Sequence, residues 1–172
     1  GIGISAMTAG AAVESVEAFT ERARDWVSAN LPRRGDDSLS EHQLQRMLFD
    51  AGFAGIAMPA VYGGAGLTLR HQQAFYDEAA VGYRVPTLFS VSIAILGITL
   101  LDTGDDVLKK RHLPRILRGE ERWIQLLSEP SGGSDMAAAL TRLERDGDHW
   151  VLNGAKMWST GALQADWGMC LA

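Results

Sequence analysis

Two stretches hold residue types whose order places chemistry. The first is Leu127-Ser128-Glu129-Pro130-Ser131-Gly132-Gly133-Ser134-Asp135. It leaves an apolar strand and enters a Gly-Gly-Ser turn with two hydroxyls. The free backbone N–H groups of such a turn can form a nest for a phosphate or for the polar edge of a ring. The second is Asn153-Gly154-Ala155-Lys156-Met157-Trp158-Ser159-Thr160-Gly161. Read as a strand from Met157 to Thr160, it puts Trp158 and Thr160 at i and i+2, on one face. An aromatic plane beside a hydroxyl suits a flat heterocycle, which stacks on the indole and takes a hydrogen bond at a ring nitrogen. Taken singly, each stretch also reads as a plain feature: a turn, and a tryptophan of a core.

Other chemistries lack their residues. There is no G-x-G-x-x-G fingerprint, Walker phosphate loop, H-E-x-x-H pair or G-x-S-x-G elbow. His42, His71, His112 and His149 are scattered, and none has a partner at metal-ligand spacing. Surface or helix-end places are expected for all four, and no metal site is expected. Ser134, Asp135 and His149 supply hydrolase letters without triad order.

Helices come first among the elements that position these stretches. Ala12 to Ala29 carries Val13, Val16, Phe19, Ala23, Trp26 and Val27 near helical spacing. Ser40 with Gln43 forms a capping box, and that helix stops at Gly52. Met58 to Gly66 has too many glycines for a regular element. Thr68 caps a third helix to about Val81. Pro86 opens a fourth, read as buried, ending near Thr103-Gly104. Asp105 or Asp106 starts a short basic helix that ends at Gly119.

The pattern changes at Trp123. Trp123 to Leu127, Thr141 to Arg145, Trp150 to Leu152, Met157 to Thr160 and Asp166 to Ala172 read as short strands, with Asp146-Gly147-Asp148 as a hairpin turn. The fold expected is α+β: an all-α domain over 10–120, then the start of an antiparallel β-barrel or sandwich over 121–172. Residues 1–9 read as a vector remnant or a disordered end. The apolar finish from Gly168 to Ala172 reads as a cut inside a longer chain.

Composition sets outer bounds. The 172 residues carry 16 Lys+Arg against 21 Asp+Glu, a net charge of −5. That balance argues against nucleic-acid or anionic-membrane binding, which needs a basic surface. The longest uncharged run, Val85 to Leu101, falls short of the roughly 20 apolar residues of a membrane span. A single cysteine, Cys170, excludes an intrachain disulfide framework and fits a reducing, cytoplasmic compartment.

The order of the motifs resembles the acyl-CoA dehydrogenase family. The signature near (L/V)TEPxxGSD appears at Leu127 to Asp135, a D-G-D hairpin at Asp146 to Asp148, and NGxKxWIT at Asn153 to Thr160. Upstream, Met58-Pro59-Ala60-Val61-Tyr62-Gly63-Gly64-Ala65-Gly66 is similar to the family's P-x-x-Y-G-G-x-G loop. Leu113-Pro114 with Gly119-Glu120 is similar to its L-P…G-E segment.

The resemblance implies a helical domain, a β domain and a C-terminal four-helix domain absent from this chain, with FAD between the last two. It implies that Gln125, Leu127 and Ser128 meet the flavin's pyrimidine edge. Ser128 stands in place of Thr, and Gln125 where an aromatic residue is common. Gly133 and Ser134 would lie near the pyrophosphate, and Ser134 would also touch the acyl-CoA. Trp158 would pack on the flavin, Thr160 would lie near N5, and Ser159 would make a neighbouring contact. The implied reaction is α,β-dehydrogenation of an acyl-CoA thioester, with electrons passed to an electron-transfer flavoprotein. The base is a Glu of the missing domain, so no catalytic residue is expected here, and Glu129 is assigned to stabilising the turn. The helix from Leu88 to Leu101 would line the acyl pocket through Ser90, Ser92, Ala94 and Gly97. A homotetramer or another oligomer is implied. Acyl-CoA oxidases, flavin-dependent monooxygenases and non-catalytic partner subunits share the scaffold.

Overall fold

A computed structural model describes residues 13–130 and 136–172. The first nine residues, read as a remnant, lie outside the described part.

Helix α1, Val16–Asn30, begins where the Ser15 hydroxyl accepts from Ala18 N at 3.2 Å. Phe19, Ala23 and Val27, four apart, form its buried stripe. Helix α2, Glu41–Asp50, has the Ser40–Gln43 capping box. Helix α3, Leu69–Ala80, packs along α1, with Phe53 stacked on Phe75 at 4.9 Å between ring centres. His71 sits in its first turn, Nδ1 2.7 Å from Thr68 Oγ1, a helix-end place as expected. The glycine-rich loop folds back on itself through Ala65 N to Gly55 O, Gly66 N to Met58 O and Leu67 N to Ile56 O. A Cβ on Gly64 would lie 2.2 Å from Met58 O, so only glycine fits that crossing.

The uncharged run forms a helix with a π-wound segment, Ser92–Gly97, continuing into α4, Ile98–Thr103. It is not wholly buried. Leu96 and Leu100 face helix α5, Asp106–Arg118, in a common core, whereas Val91, Ile95 and Ile98 are about two-fifths exposed. The reason is that α5, the Met58 loop and the strand at Trp123 cover its inner side and leave the outer side open. Asp105 caps α5, and Gly119 ends it in the left-handed region at φ 76°.

Among the described residues the β region has two strand pairs. Strands β2, Arg142–Asp146, and β3, His149–Asn153, make the expected antiparallel hairpin. Strands β1, Trp123–Leu126, and β4, Trp167–Cys170, run parallel, with Trp123 opposite Trp167. The long path through the hairpin lets β4 enter from the same end as β1, as a parallel pair requires. Met157 to Thr160 is not a strand. The chain turns there, with Trp158 at φ 56° and Thr160 N bonded to Trp158 O at 2.9 Å.

His112 also departs from the surface or helix-end place expected of it. It lies in the middle of α5, buried, edge-on to Trp123 and Trp167. Its Nδ1 is 2.8 Å from Glu121 Oε2, which also accepts from Trp123 Nε1 at 3.0 Å. The inner face of α5 meets β1 and β4 here, a contact that helical periodicity alone does not name.

Candidate functional site

Strand β1 is the base on which the site is built. Met157 N donates to Ser128 O at 2.8 Å and brings the Trp158 segment beside the end of β1. Lys156 Nζ donates to Leu127 O at 3.1 Å and to Glu129 Oε1 at 2.8 Å. Glu129 also accepts from Leu140 N, Thr141 N and Thr141 Oγ1. The Lys156 ammonium first, then the Thr141 hydroxyl and the two amides, hold its carboxyl down at about 2 from 4.5. With its oxygens so occupied, Glu129 ties Leu140, Thr141 and Lys156 to the chain just after β1. On the far side, Arg122 Nη1 donates to Gln164 Oε1 and Arg122 N to Asp166 Oδ2, both at 2.8 Å. These bonds fix both ends of the 157–164 segment against β1.

The result is a cleft of about 400 Å³ between the helix start at Thr87, Leu88 and Ser90 and the residues Gln125, Trp158 and Thr160. Trp158 is 84% exposed, its indole standing free rather than packed in a core. Its left-handed backbone, at φ 56°, is a costly conformation for a large side chain. Among the described residues, no hydrogen bond occupies the hydroxyls of Ser128 or Thr160. A free aromatic face, uncommitted hydroxyls and the Gln125 amide fit a planar heterocycle with polar edges.

A second cleft of about 670 Å³ opens beside it, between the 53–58 loop, Leu69, Gln72 and Tyr76 of α3, and Ser90, Ala94 and Ile98. Ser90 lines both clefts. The four residues expected to line an acyl pocket divide between two faces. Ser90 and Ala94 face the cleft, while Ser92 and Gly97 turn inward, Ser92 to Trp123 and Gly97 toward Met58 and Leu113. The start of the wall is pinned by Glu41, which accepts from Thr87 N at 2.6 Å and Leu88 N at 2.9 Å and pairs with Arg84 at 2.8 Å. Burial pushes the Glu41 carboxyl up, but the two amides and the guanidinium outweigh it and hold the group below its usual value.

Of the residues expected at a flavin, Gln125, Trp158 and Thr160 line the smaller cleft, and Leu127, Ser128 and Ser159 lie in the segments that frame it. Gly133 and Ser134 lie outside the described residues. Sequence reasoning missed Glu41, the bonding of Ser92 to β1 and the fixing role of Lys156. For Lys156 one signal is present, its charge complementarity to Glu129, each inside a signature stretch. Among the described residues no cluster of His, Cys, Asp and Glu is arranged for a metal ion, and no helix is long and apolar enough to cross a membrane.

The helical domain thus leads into strand β1, whose end lines the smaller cleft, and the larger, mainly apolar cleft lies beside it. The sequence patterns of two acyl-CoA dehydrogenase domains match the chain, the N-terminal domain over residues 13–120 and the middle domain over 125–172. The chain belongs to the acyl-CoA dehydrogenase family. Acyl-CoA dehydrogenase IpdE1 of Mycobacterium tuberculosis is 34% identical over 173 residues, 93% of this chain and 45% of that protein. The solved Tcur3481-Tcur3483 steroid ACAD is 31% identical with a TM-score of 0.67, covering 90% of this chain and 42% of that one. The ChsE4-ChsE5 complex from Mycobacterium tuberculosis is 27% identical with a TM-score of 0.69, covering 98% and 43%. The chain spans about half the length of the curated relatives it matches.

Proposed function

We propose that this chain is the helical and early β portion of an FAD-dependent acyl-CoA dehydrogenase, which converts an acyl-CoA thioester to the 2-enoyl-CoA. The observation that carries the reading is the pair of clefts meeting at Ser90: a ring-binding cleft with the free Trp158 indole, and an apolar cleft next to it. FAD, when bound, supplies the acceptor for the two electrons and the β-hydrogen. Trp158 would stack on the ring, the Thr160 hydroxyl would donate to a ring nitrogen, and Gln125 with Ser128 would meet the pyrimidine edge. Gly133 and Ser134 would take the pyrophosphate, and Ser134 the thioester side. None of these residues removes the α-proton. Glu129 is committed to Lys156 and Thr141, and the base is assigned to a Glu of the C-terminal domain.

The acyl group is read as bulkier than a straight chain. The small side chains of Ala54, Ala57 and Ala94, with Gly55, leave about 670 Å³, and a solved relative is named a steroid ACAD. Electrons would leave to an electron-transfer flavoprotein, and a second subunit, like or unlike this one, would complete the assembly. The unpaired Cys170 supports a reducing, cytoplasmic setting.

The test uses the full-length protein. A yellow, flavin-type absorbance spectrum is expected, with turnover of acyl-CoA thioesters in the presence of a dye acceptor and higher kcat/KM for ring-bearing than for straight-chain acyl groups. A colourless protein that gains no spectrum with added FAD would sink the reading. Fast reoxidation of the reduced protein by air would move it to the oxidase or monooxygenase class.

A further inference from the structure

Strand β1 has one paired and one unpaired edge. On the paired edge, the carbonyls of Arg122 and Leu126 accept from Trp167 N and Leu171 N. Parallel ladders engage alternate residues, so Trp123 and Gln125 turn their backbone groups to the opposite edge. No strand lies there among the described residues. At Trp123 that edge meets a side chain instead. Ser92 Oγ donates to Trp123 O at 3.0 Å and accepts from Trp123 N at 2.9 Å. One hydroxyl thus satisfies both backbone groups of a strand residue, as a neighbouring strand would.

Ser92 is 1% exposed and opens the π-wound segment Ser92–Gly97. Such segments are rare and often occur at functional sites. The cleft wall at Ser90 and Ala94 stands on the outer side of the same helix, while Gln125 follows Trp123 by two residues on the strand. At the other end of the free edge, Lys156 Nζ holds Leu127 O. Gln125 lies between these two anchors.

We propose that Ser92 is a positioning residue. Its hydroxyl locks the helix to β1 at Trp123 and so fixes the gap between the Ser90 wall and the Gln125–Trp158 side of the smaller cleft. The consequence for ligand binding rests on the flavin reading above. The mechanical part does not. Without the hydroxyl, the Trp123 N–H and C=O are left buried and unpaired, and β1 must shift or admit water.

The test compares full-length wild type with Ser92→Ala and with Val27→Ala, which trims the core at α1 away from β1. Amide exchange over Trp123 to Gln125, taken relative to exchange in α1, is measured in flavin-free protein. The Kd for FAD is measured by flavin fluorescence, and melting temperatures are recorded for all three proteins. Ser92→Ala should raise the exchange ratio about 5–10-fold and weaken FAD binding by a similar factor, the size of one lost hydrogen-bonding group. Val27→Ala, at an equal or larger loss of melting temperature, should leave both close to wild type. An unchanged exchange ratio in Ser92→Ala would overturn the proposal, as would equal weakening of FAD in the two variants. Wild-type protein that binds no FAD would sink the flavin reading, and the exchange ratio would still decide the role of Ser92. Should Ser92→Ala not fold, Ser92→Cys replaces the hydroxyl with a weaker donor and carries the same readouts.

Discussion

Lys156 Nζ lies 2.8 Å from Glu129 Oε1, and both side chains are more than nine-tenths buried. This contact joins the two signature stretches. It ties the chain after β1 to the chain before Trp158, and the cleft forms between them and the helix. A buried ion pair broken on one side leaves a desolvated charge. Lys156→Met and Glu129→Gln should each lower the urea midpoint and the FAD content of the full-length protein. The double variant should lose clearly less than the sum of the two. Additive losses in that cycle would show that the pair is not the joint.

The same carboxylate gives a pH dependence. Glu129 is held at about 2 in the folded chain against 4.5 ordinarily. Between those values the unfolded chain binds more protons, so this contribution is complete above pH 4.5 and fades as pH falls toward 2. Urea midpoints of wild type and Glu129→Gln at pH 7, 4.5 and 3 should therefore converge as the solution is acidified. A gap that stays constant over that range would contradict the assignment.

Trp158 sets stability against binding. Its backbone sits at φ 56° with a bulky side chain. Trp158→Gly should leave the flavin-free protein as stable as wild type, or more stable by up to about 1 kcal/mol, because glycine takes that conformation without strain. Affinity for FAD should fall at least about tenfold, the worth of a stacked ring. Calorimetric melting with and without FAD separates the two effects.

The wall of the larger cleft predicts selectivity. Ala94→Phe fills space beside Ser90 and should cut kcat/KM for ring-bearing acyl-CoA by about tenfold or more. Short straight-chain substrates should lose much less. Equal losses across a panel of acyl lengths would place the acyl group elsewhere.

Gly64 tests the loop. An added Cβ would meet the Met58 carbonyl oxygen at 2.2 Å, a backbone atom that cannot swing aside. Gly64→Ala should cost about 3 kcal/mol or more in chemical denaturation. A loss under about 1 kcal/mol would mean that the crossing is looser than described.

The sequence determined much of this by itself. The capping box at Ser40 and Gln43, the cap at Asp105 and the stop at Gly119 are local, because a cap needs only residues within one turn. The switch from helix to strand near Trp123 was legible from periodicity. The family was legible because the ordered stretches around Ser128, Gly147 and Trp158 are contiguous in the chain. Tertiary structure decided what depends on partners far away. The parallel pairing of β1 with β4 follows from where the hairpin sends the chain, and the turn at Trp158 from Met157 N reaching back to Ser128 O. Burial of His112 depends on Glu121, Trp123 and Trp167 meeting one face of α5. Ser92 is the clearest case. As a sequence letter it is one small residue in an apolar run. The rung that it supplies exists because Trp123, thirty-one positions on, offers a backbone edge that no strand among the described residues meets.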